Sequence, residues 1–403
     1  MPRRAGEHPG RDTVKNEMDA GRGPRVRAVE TFAMWGGLRN WVFVRVTAED
    51  GLYGWGEATV EGKEATVQAA IQELGQALLG RDALATETNW QLLFRHGFWR
   101  GGVILNSALA ALDQALWDIR GKVFGAPVYR LLGGPTRARV RLYTHVGIYD
   151  PARLEHEAEE AVEAGFTAVK TGAWAGDAAL AEAEMVAACA ERIARLRQVV
   201  GARCDIFFDN HGRSRPDQAI RLLQALAPYR LGWFEEPTMP EDPDALAPVC
   251  AVARTLGISI AAGERLYSRW EARPFLERRL LDILQPDLCH AGGLTECLKL
   301  AALADTYEVM LAPHSPQGPV STAAAAHLAL AIPNFLILEY LPALPYRAQV
   351  LREPWPVVEG ALIVPDRPGL GVDLDEAAIA ANPPREVGVP RAAWTADGAV
   401  ADV

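Results

Sequence analysis

Seven ionisable residues stand at the ends of short apolar runs: Lys170, Asp209, Glu235, Glu264, Asp287, His314 and Glu339. Three of them, Asp209, Glu235 and Glu264, close consecutive runs, CDIFFD, LGWFEE and ISIAAGE. Carboxylate oxygens suit hard cations such as Mg²⁺ or Mn²⁺, with waters or substrate oxygens completing an octahedron. Three carboxylates packed together without a cation would repel one another and raise their own pKa values. Asp287 and His314 end the next two runs, LDILQPD and VMLAPH. An aspartate beside a histidine fixes the imidazole tautomer and supports the imidazolium, which makes a competent base near neutral pH. Taken alone, the two would equally suit a structural pair. His211 follows Asp209 by two places in DNHGR. Residues two apart in a strand point to one side. Asp209 and His211 are therefore expected to face one site, the alternative being a strand that simply ends at polar residues.

Chemistry of this kind needs a frame that brings these ends together. After Arg137, β-like runs at 140–146, 166–170, 204–209, 231–236, 258–264, 281–287, 309–314 and 335–339 alternate with longer helical stretches. Strands joined by helical crossovers in this rhythm predict an α/β fold, a (β/α)₇β TIM-like barrel, whose functional residues converge on the C-terminal rim. An ordinary solvated rim would show Ser, Gly, Asn and Thr as often as the Asp, Glu, His and Lys found here.

Ahead of the barrel, VRAVETFAM and NWVFVRVTAEDGLYGWGEATV alternate apolar and polar residues, with a turn at Glu49-Asp50-Gly51. ATVQAAIQELGQALL and SALAALDQALWDIRGKVFG then carry a helical period, broken by FWRGG at 98–102. No P-loop lysine follows the glycines of GLYGWGE, and strands surround them, so they read as turning and packing residues. A sheet followed by helices predicts an α+β capping domain. The expected boundaries are a polar, disordered tail at 1–24, the cap at 25–135, the barrel at 136–343, and a Pro-rich C-terminal segment at 344–403 that returns to the cap.

The 403-residue chain has room for a large core, and 49% hydrophobic with 23% charged residues marks it as globular. A net charge of −10 argues against nucleic-acid binding, though a bound divalent cation would still permit an anionic substrate. No apolar run approaches the roughly 20 residues of a membrane span. Five scattered cysteines without a CxxC pair suggest a reducing, cytoplasmic setting with no disulfides. An apolar-rich cap is compatible with a homo-oligomer.

Several longer motifs carry a family likeness: GLYGWGE, RGGVILNSALAALDQALWDIRGK, DNHGR, WFEEP, AAGER, ILQPDLCHAGGLTEC and APHSPQGP. From about Arg25 to Val372 the chain resembles the enolase superfamily in its mandelate racemase-like branch, and is similar to the galactonate dehydratase type of acid-sugar dehydratase. The resemblance implies a (β/α)₇β barrel under an α+β cap and Mg²⁺ at Asp209, Glu235 and Glu264. It implies His314 with Asp287 as the base, His211 as the acid, and Glu339 holding the substrate carboxylate or the intermediate. The activity implied is removal of the C2 proton of a sugar acid and loss of its 3-hydroxyl, giving a 2-keto-3-deoxy acid.

Two positions depart from the pattern. Racemases of the branch usually carry a second lysine two places after the first; here Lys170 is followed by Thr171 and Gly172, which speaks against racemisation. His145, near the end of the first barrel strand, is a candidate contact for distal hydroxyls, with a core or rim histidine as the equal alternative. Lys170 is a further candidate for substrate binding. Loops around Trp35-Gly36-Gly37 and Glu57–Lys63 are expected to close the site and choose the sugar. The alternatives are an epimerase or racemase, a dehydratase of another acid sugar such as an aldarate, and a non-catalytic sugar-acid-binding homologue.

Overall fold

The chain opens with a three-stranded sheet whose middle strand is buried on both faces. The structure, a computed structural model, describes residues 23–95, 97–342, 345–386, 393–395 and 397–401. The expected tail at 1–24 lies outside the described residues except for Gly23 and Pro24. Strands β1 (Val26–Trp35), β2 (Asn40–Ala48) and β3 (Tyr53–Glu57) form an antiparallel sheet in that order. Alternation along β2 divides its side chains between two cores. Val42, Val44 and Val46 pack with the cap helices, while Trp41 and Phe43 join the core shared with the barrel.

The cap has three main helices, α1 (Glu64–Gly75), α2 (Thr86–Arg95) and α3 (Gly102–Val123), where the periodicity indicated two. The missed one, TETNWQLLFR, buries Trp90, Leu93 and Phe94 on one face; its 10 residues fell below the length at which that pattern stands out. Helix α3 lies flush on β3. A Cβ at Gly54 would sit 2.1 Å from Ala115 O, and one at Gly56 would sit 1.9 Å from Ala111 O. These glycines are required by close approach, as their strand context suggested.

The barrel strands are β4 (Val140–His145), β5 (Ala168–Gly172), β6 (Asp205–Asp209), β7 (Trp233–Glu235), β8 (Ser259–Ala262), β9 (Ile283–Leu284), β10 (Met310–Leu311) and β11 (Leu338–Glu339). They pair in parallel from β4 through β10. A bridge from Leu311 to Phe335 and the pairing of β11 with β4 complete the ring. One inward side chain from each strand position, Tyr143, Ala168, Phe207, Trp233, Ala261, Ile283, Ala312 and Ile337, fills the interior. Phe207 and Trp233 stack face to face there, with planes 4° apart. The barrel is thus a packed core rather than a pore. A two-residue step along each inward face then leads from this apolar layer to a polar one: Tyr143 to His145, Ala168 to Lys170, Phe207 to Asp209, Trp233 to Glu235 and Ile337 to Glu339.

The crossover helices include Pro216–Leu226 between β6 and β7, Pro243–Leu256 between β7 and β8, Gly293–Thr306 between β9 and β10, and Pro319–Ala331 before β11. The helix from Gly293 is tied to α3 of the cap, where Asp113 accepts from Thr295 N at 2.9 Å and Trp117 Nε1 donates to Thr295 Oγ1 at 2.8 Å. The C-terminal segment adds a short antiparallel strand (Ala361–Leu362) alongside the start of β4, at Val140 and Arg141. It then reaches the cap, where Asp373 accepts from Tyr53 Oη and Trp55 Nε1, and Leu370 N donates to Asp118 at 2.7 Å. No described helix is long and apolar enough to cross a membrane. The five cysteines are buried and free.

Candidate active site

Asp209, Glu235 and Glu264 converge on the C-terminal rim, each offering an oxygen within 4.8 Å of the others. Asp209 and Glu235 are the last residues of β6 and β7, paired in register. Glu264 stands two places beyond β8, after Gly263 at φ +138°. The donor set fits a hard divalent cation on the structure's own terms. It is all oxygen, and Glu264 Oε2 is buried without a hydrogen-bond partner among the described residues. The crowding has an electrostatic consequence. Burial first, then the charge of Asp209, pushes Glu235 up to about 7. Trp233 Nε1 steadies Glu235 at 2.9 Å, so the barrel core itself orients this carboxylate.

Lys170 offsets part of the charge. Its buried ammonium lies 3.2 Å from Asp209 Oδ2, 2.9 Å from Glu235 Oε1 and 3.0 Å from Glu339 Oε1. Burial opposes its protonation, but Glu235 and Glu339 outweigh it and hold the ammonium charged. Lys170 is not the last residue of its strand, as the sequence suggested. β5 runs on to Gly172, where a Cβ would come within 2.5 Å of Asp209 O. The β5–β6 register therefore leaves a side chain at 172 no room without a backbone shift.

Asp287 and His314 stand three places beyond β9 and β10, which end at Leu284 and Leu311. The apolar runs made these strands look longer than their ladders are. The two residues still meet: His314 Nδ1 donates to Asp287 Oδ2 at 2.7 Å. Asp287 is completely buried and also accepts from Cys289 N at 2.6 Å. This fixes the tautomer and turns Nε2 inward, 3.5 Å from Glu264 Oε2 and 3.8 Å from Glu339 Oε2. Burial alone would lower the His314 pKa; Glu264, Glu339 and Asp287 outweigh it and raise it to about 10.

His211 comes to Asp209 by a different route from the one the spacing suggested. β6 stops at Asp209, and His211 sits in the following turn with φ +49°. The turn, rather than strand alternation, brings Nε2 to 3.0 Å from Asp209 Oδ2. Asp209 chiefly raises its pKa to about 9, against burial. Arg265 holds this turn by donating to His211 O at 3.0 Å, while its Nε bonds both oxygens of buried Glu236 at 3.1 Å.

Glu339 closes the ring from β11. Its Oε2 accepts from Ser315 N at 2.8 Å, and Oε1 meets Lys170 and His145 Nε2. Burial lowers the His145 pKa despite the charge of Glu339, so a neutral ring donates Nε2–H to that carboxylate. Its Nδ1 is buried without a partner among the described residues. The contact places His145 beside Glu339, at the wall of the cavity between cap and rim.

The residues given no role at the sequence level adjoin this rim. His290 accepts from, or donates to, Ser107 Oγ at 2.8 Å and lies 3.6 Å from Asp287. Glu57 of β3 caps the helix that follows the His314 loop, accepting from Gly318 N at 2.6 Å and Ser321 N at 2.9 Å. The one available signal was local: Glu236 and Arg265 each adjoin a predicted ligand. Cap and rim together enclose a cavity of about 470 Å³, lined by Arg39, Glu61, Tyr149, Asp209, His211, Glu264, His290 and His314 among others.

This barrel and rim define a class. Residues 16–133 match the mandelate racemase / muconate lactonizing enzyme N-terminal domain, and residues 153–378 match the enolase C-terminal domain-like family. The chain belongs to the enolase superfamily. It is similar to the D-galactonate dehydratase of Ralstonia nicotianae, 41% identical over 371 residues, 90% of this chain and 96% of that protein. The D-galactonate dehydratase of Variovorax paradoxus is 39% identical over 86% of this chain and 92% of its own length. Among solved structures, an enolase superfamily member from Salmonella Typhimurium superposes with a TM-score of 0.84 at 29% identity, covering 89% of this chain and 98% of that one. A mandelate racemase/muconate lactonizing enzyme-like protein from Roseovarius sp. TM1035 gives 0.84 at 33% identity, covering 90% and 96%.

Proposed function

We propose that the protein is a Mg²⁺-dependent hydro-lyase acting on a sugar acid, an aldonate of the galactonate kind. The observation that carries this reading is the pair of differently held histidines, His314 and His211, flanking one carboxylate cluster. His314 Nε2 takes the C2 proton, and Asp287 supports the imidazolium through Nδ1. His211 gives a proton to the departing 3-hydroxyl, which leaves as water. The resulting enol tautomerises to a 2-keto-3-deoxy acid. Lys170, held in place by Glu339, balances the charge of the substrate carboxylate. A proton α to a carboxylate is too weakly acidic for histidine in water, so charge must be met as it develops. A divalent cation held by Asp209, Glu235 and Glu264 would supply that charge and, by engaging Glu264, relieve the upward pull on His314.

The absence of room for a side chain at Gly172 favours elimination over a two-lysine racemisation. The names of the relatives, D-galactonate dehydratases, support the substrate class. The test is a sugar-acid library incubated with enzyme and Mg²⁺ and assayed for 2-keto acid. An aldonate giving the 2-keto-3-deoxy product is the expected result. Inversion at C2 without water loss would favour an epimerase instead.

A further inference from the structure

Among the described residues lining the cavity, the cap presents one permanent cation, Arg39, and it is already paired. Arg39 closes the β1–β2 turn, where Gly36 N donates to its carbonyl at 2.8 Å. Glu61 lies in the turn after β3. Their side chains form an ion pair across the two cap loops, with Arg39 12% and Glu61 54% exposed. Beyond Glu61, Arg39 meets neutral groups: Nη1 reaches Gln317 Oε1 at 3.4 Å and Nη2 reaches Tyr149 Oη at 3.5 Å. Tyr149 and Gln317 also line the cavity.

Among the described residues, the other permanent cations lining the cavity are Lys170 and Arg265. Lys170 is committed to Asp209, Glu235 and Glu339, and Arg265 to Glu236. A substrate anchored by its carboxylate on the barrel rim would extend toward the cap. A second carboxylate arriving there would meet no uncommitted permanent cation among the lining residues, and would face the charge of Glu61. Hydroxyls would meet the tyrosine, the amide and the guanidinium edge without that conflict. Discrimination of this kind rests as much on the repulsive group as on the attractive one.

The geometry points to the Arg39–Glu61 pair as a selectivity element that admits a sugar acid with an uncharged distal end and rejects a dicarboxylic one. This deepens the dehydratase reading and rests on it. Glu61 is the rejecting group, and Arg39 is the cation it masks.

The test compares kcat/KM of the Mg²⁺-loaded full chain on matched acids, D-galactonate and galactarate, which differ only at the distal carbon. If D-galactonate is not the best aldonate in the screen, that aldonate and its aldarate are used. The wild type should favour the aldonate. Glu61→Gln, a half-exposed isosteric change, should move the ratio toward the aldarate about tenfold or more. Glu61→Asp keeps the charge and should keep the wild-type preference. Adding Arg39→Met to Glu61→Gln should abolish the gain. An active, normally melting Glu61→Gln enzyme with an unchanged ratio would overturn this inference alone, as would a gain that survives in the double variant. A wild type that turned over no sugar acid would overturn the dehydratase reading and this inference together.

Discussion

His314 and His211 each stand beside an aspartate, yet the two pairs are held differently. The partner of His314 is fully buried Asp287, held by a backbone amide and outside the carboxylate cluster. The partner of His211 is Asp209, itself a member of that cluster. His314 is sheltered, with a side chain 15% exposed, whereas His211 sits in a left-handed turn with 41% exposure. A fixed ring with one free nitrogen suits abstraction of a specific proton. A ring at the open side of the cavity, loosely tied to a ligand, suits giving a proton to a group that leaves. Under the proposed function, the state of the partner rather than the residue type separates the two roles.

The largest effect should come from removing the base. His314→Asn should lower kcat by about 10³-fold or more, the upper part of what general acid–base groups contribute. Steady-state rates on the substrate found by the library screen would measure this. A loss under tenfold would remove His314 from the proton transfer. Asp287→Asn tests the difference between the partners. Changing its acceptor oxygen to an amide disturbs the His314 tautomer, and kcat should fall by about 10²-fold or more with the fold intact by circular dichroism. Near-full kcat would mean that the dyad is structural only.

How legible this contrast was depended on the element. The strand ends were readable because apolar runs stop at charged residues, and this gave Asp209, Glu235 and Glu339 their places. Asp287 and His314 were readable as a pair, but not as loop residues, because an apolar run does not show where ladder hydrogen bonds end. The His211 turn was not readable, since its φ of +49° depends on Arg265 and Glu236, brought in from other strands. Glu57 and the Arg39–Glu61 pair were hidden for a similar reason. Glu57 acts between cap and barrel and the Arg39–Glu61 pair between two cap loops, at separations that no local period reports. The family likeness covered most of the chain and agreed with the barrel and cap, but Gly172 needed the β5–β6 register to be understood.

A smaller effect bears on the Asp209 side. Glu235→Gln removes one charge from the cluster and should weaken Mg²⁺ binding about tenfold or more, measured by calorimetric titration. Equal affinities would separate Glu235 from the cation. A last effect, on stability rather than activity, concerns a histidine whose pKa shift has no carboxylate among its causes. His327 accepts from Tyr129 N at 3.0 Å and lies 3.0 Å from Leu370 O, and burial lowers its pKa to about 4. A depressed histidine binds fewer protons folded than unfolded. Its contribution is therefore complete above pH ~6.5 and is lost as pH falls toward about 4, by roughly 3 kcal/mol at most. In urea titrations, the stability gap between wild type and His327→Gln should narrow over that window. A gap that stays constant would show that His327 is not held neutral.

The division of labour between the two rim histidines is tested most directly by exchange of the substrate C2 hydrogen in D₂O, followed by NMR. His314→Asn should lose both exchange and dehydration. His211→Asn should lose dehydration while exchange continues, because the proton can still be removed and returned. Exchange that persists in His314→Asn and disappears in His211→Asn would contradict the assignment.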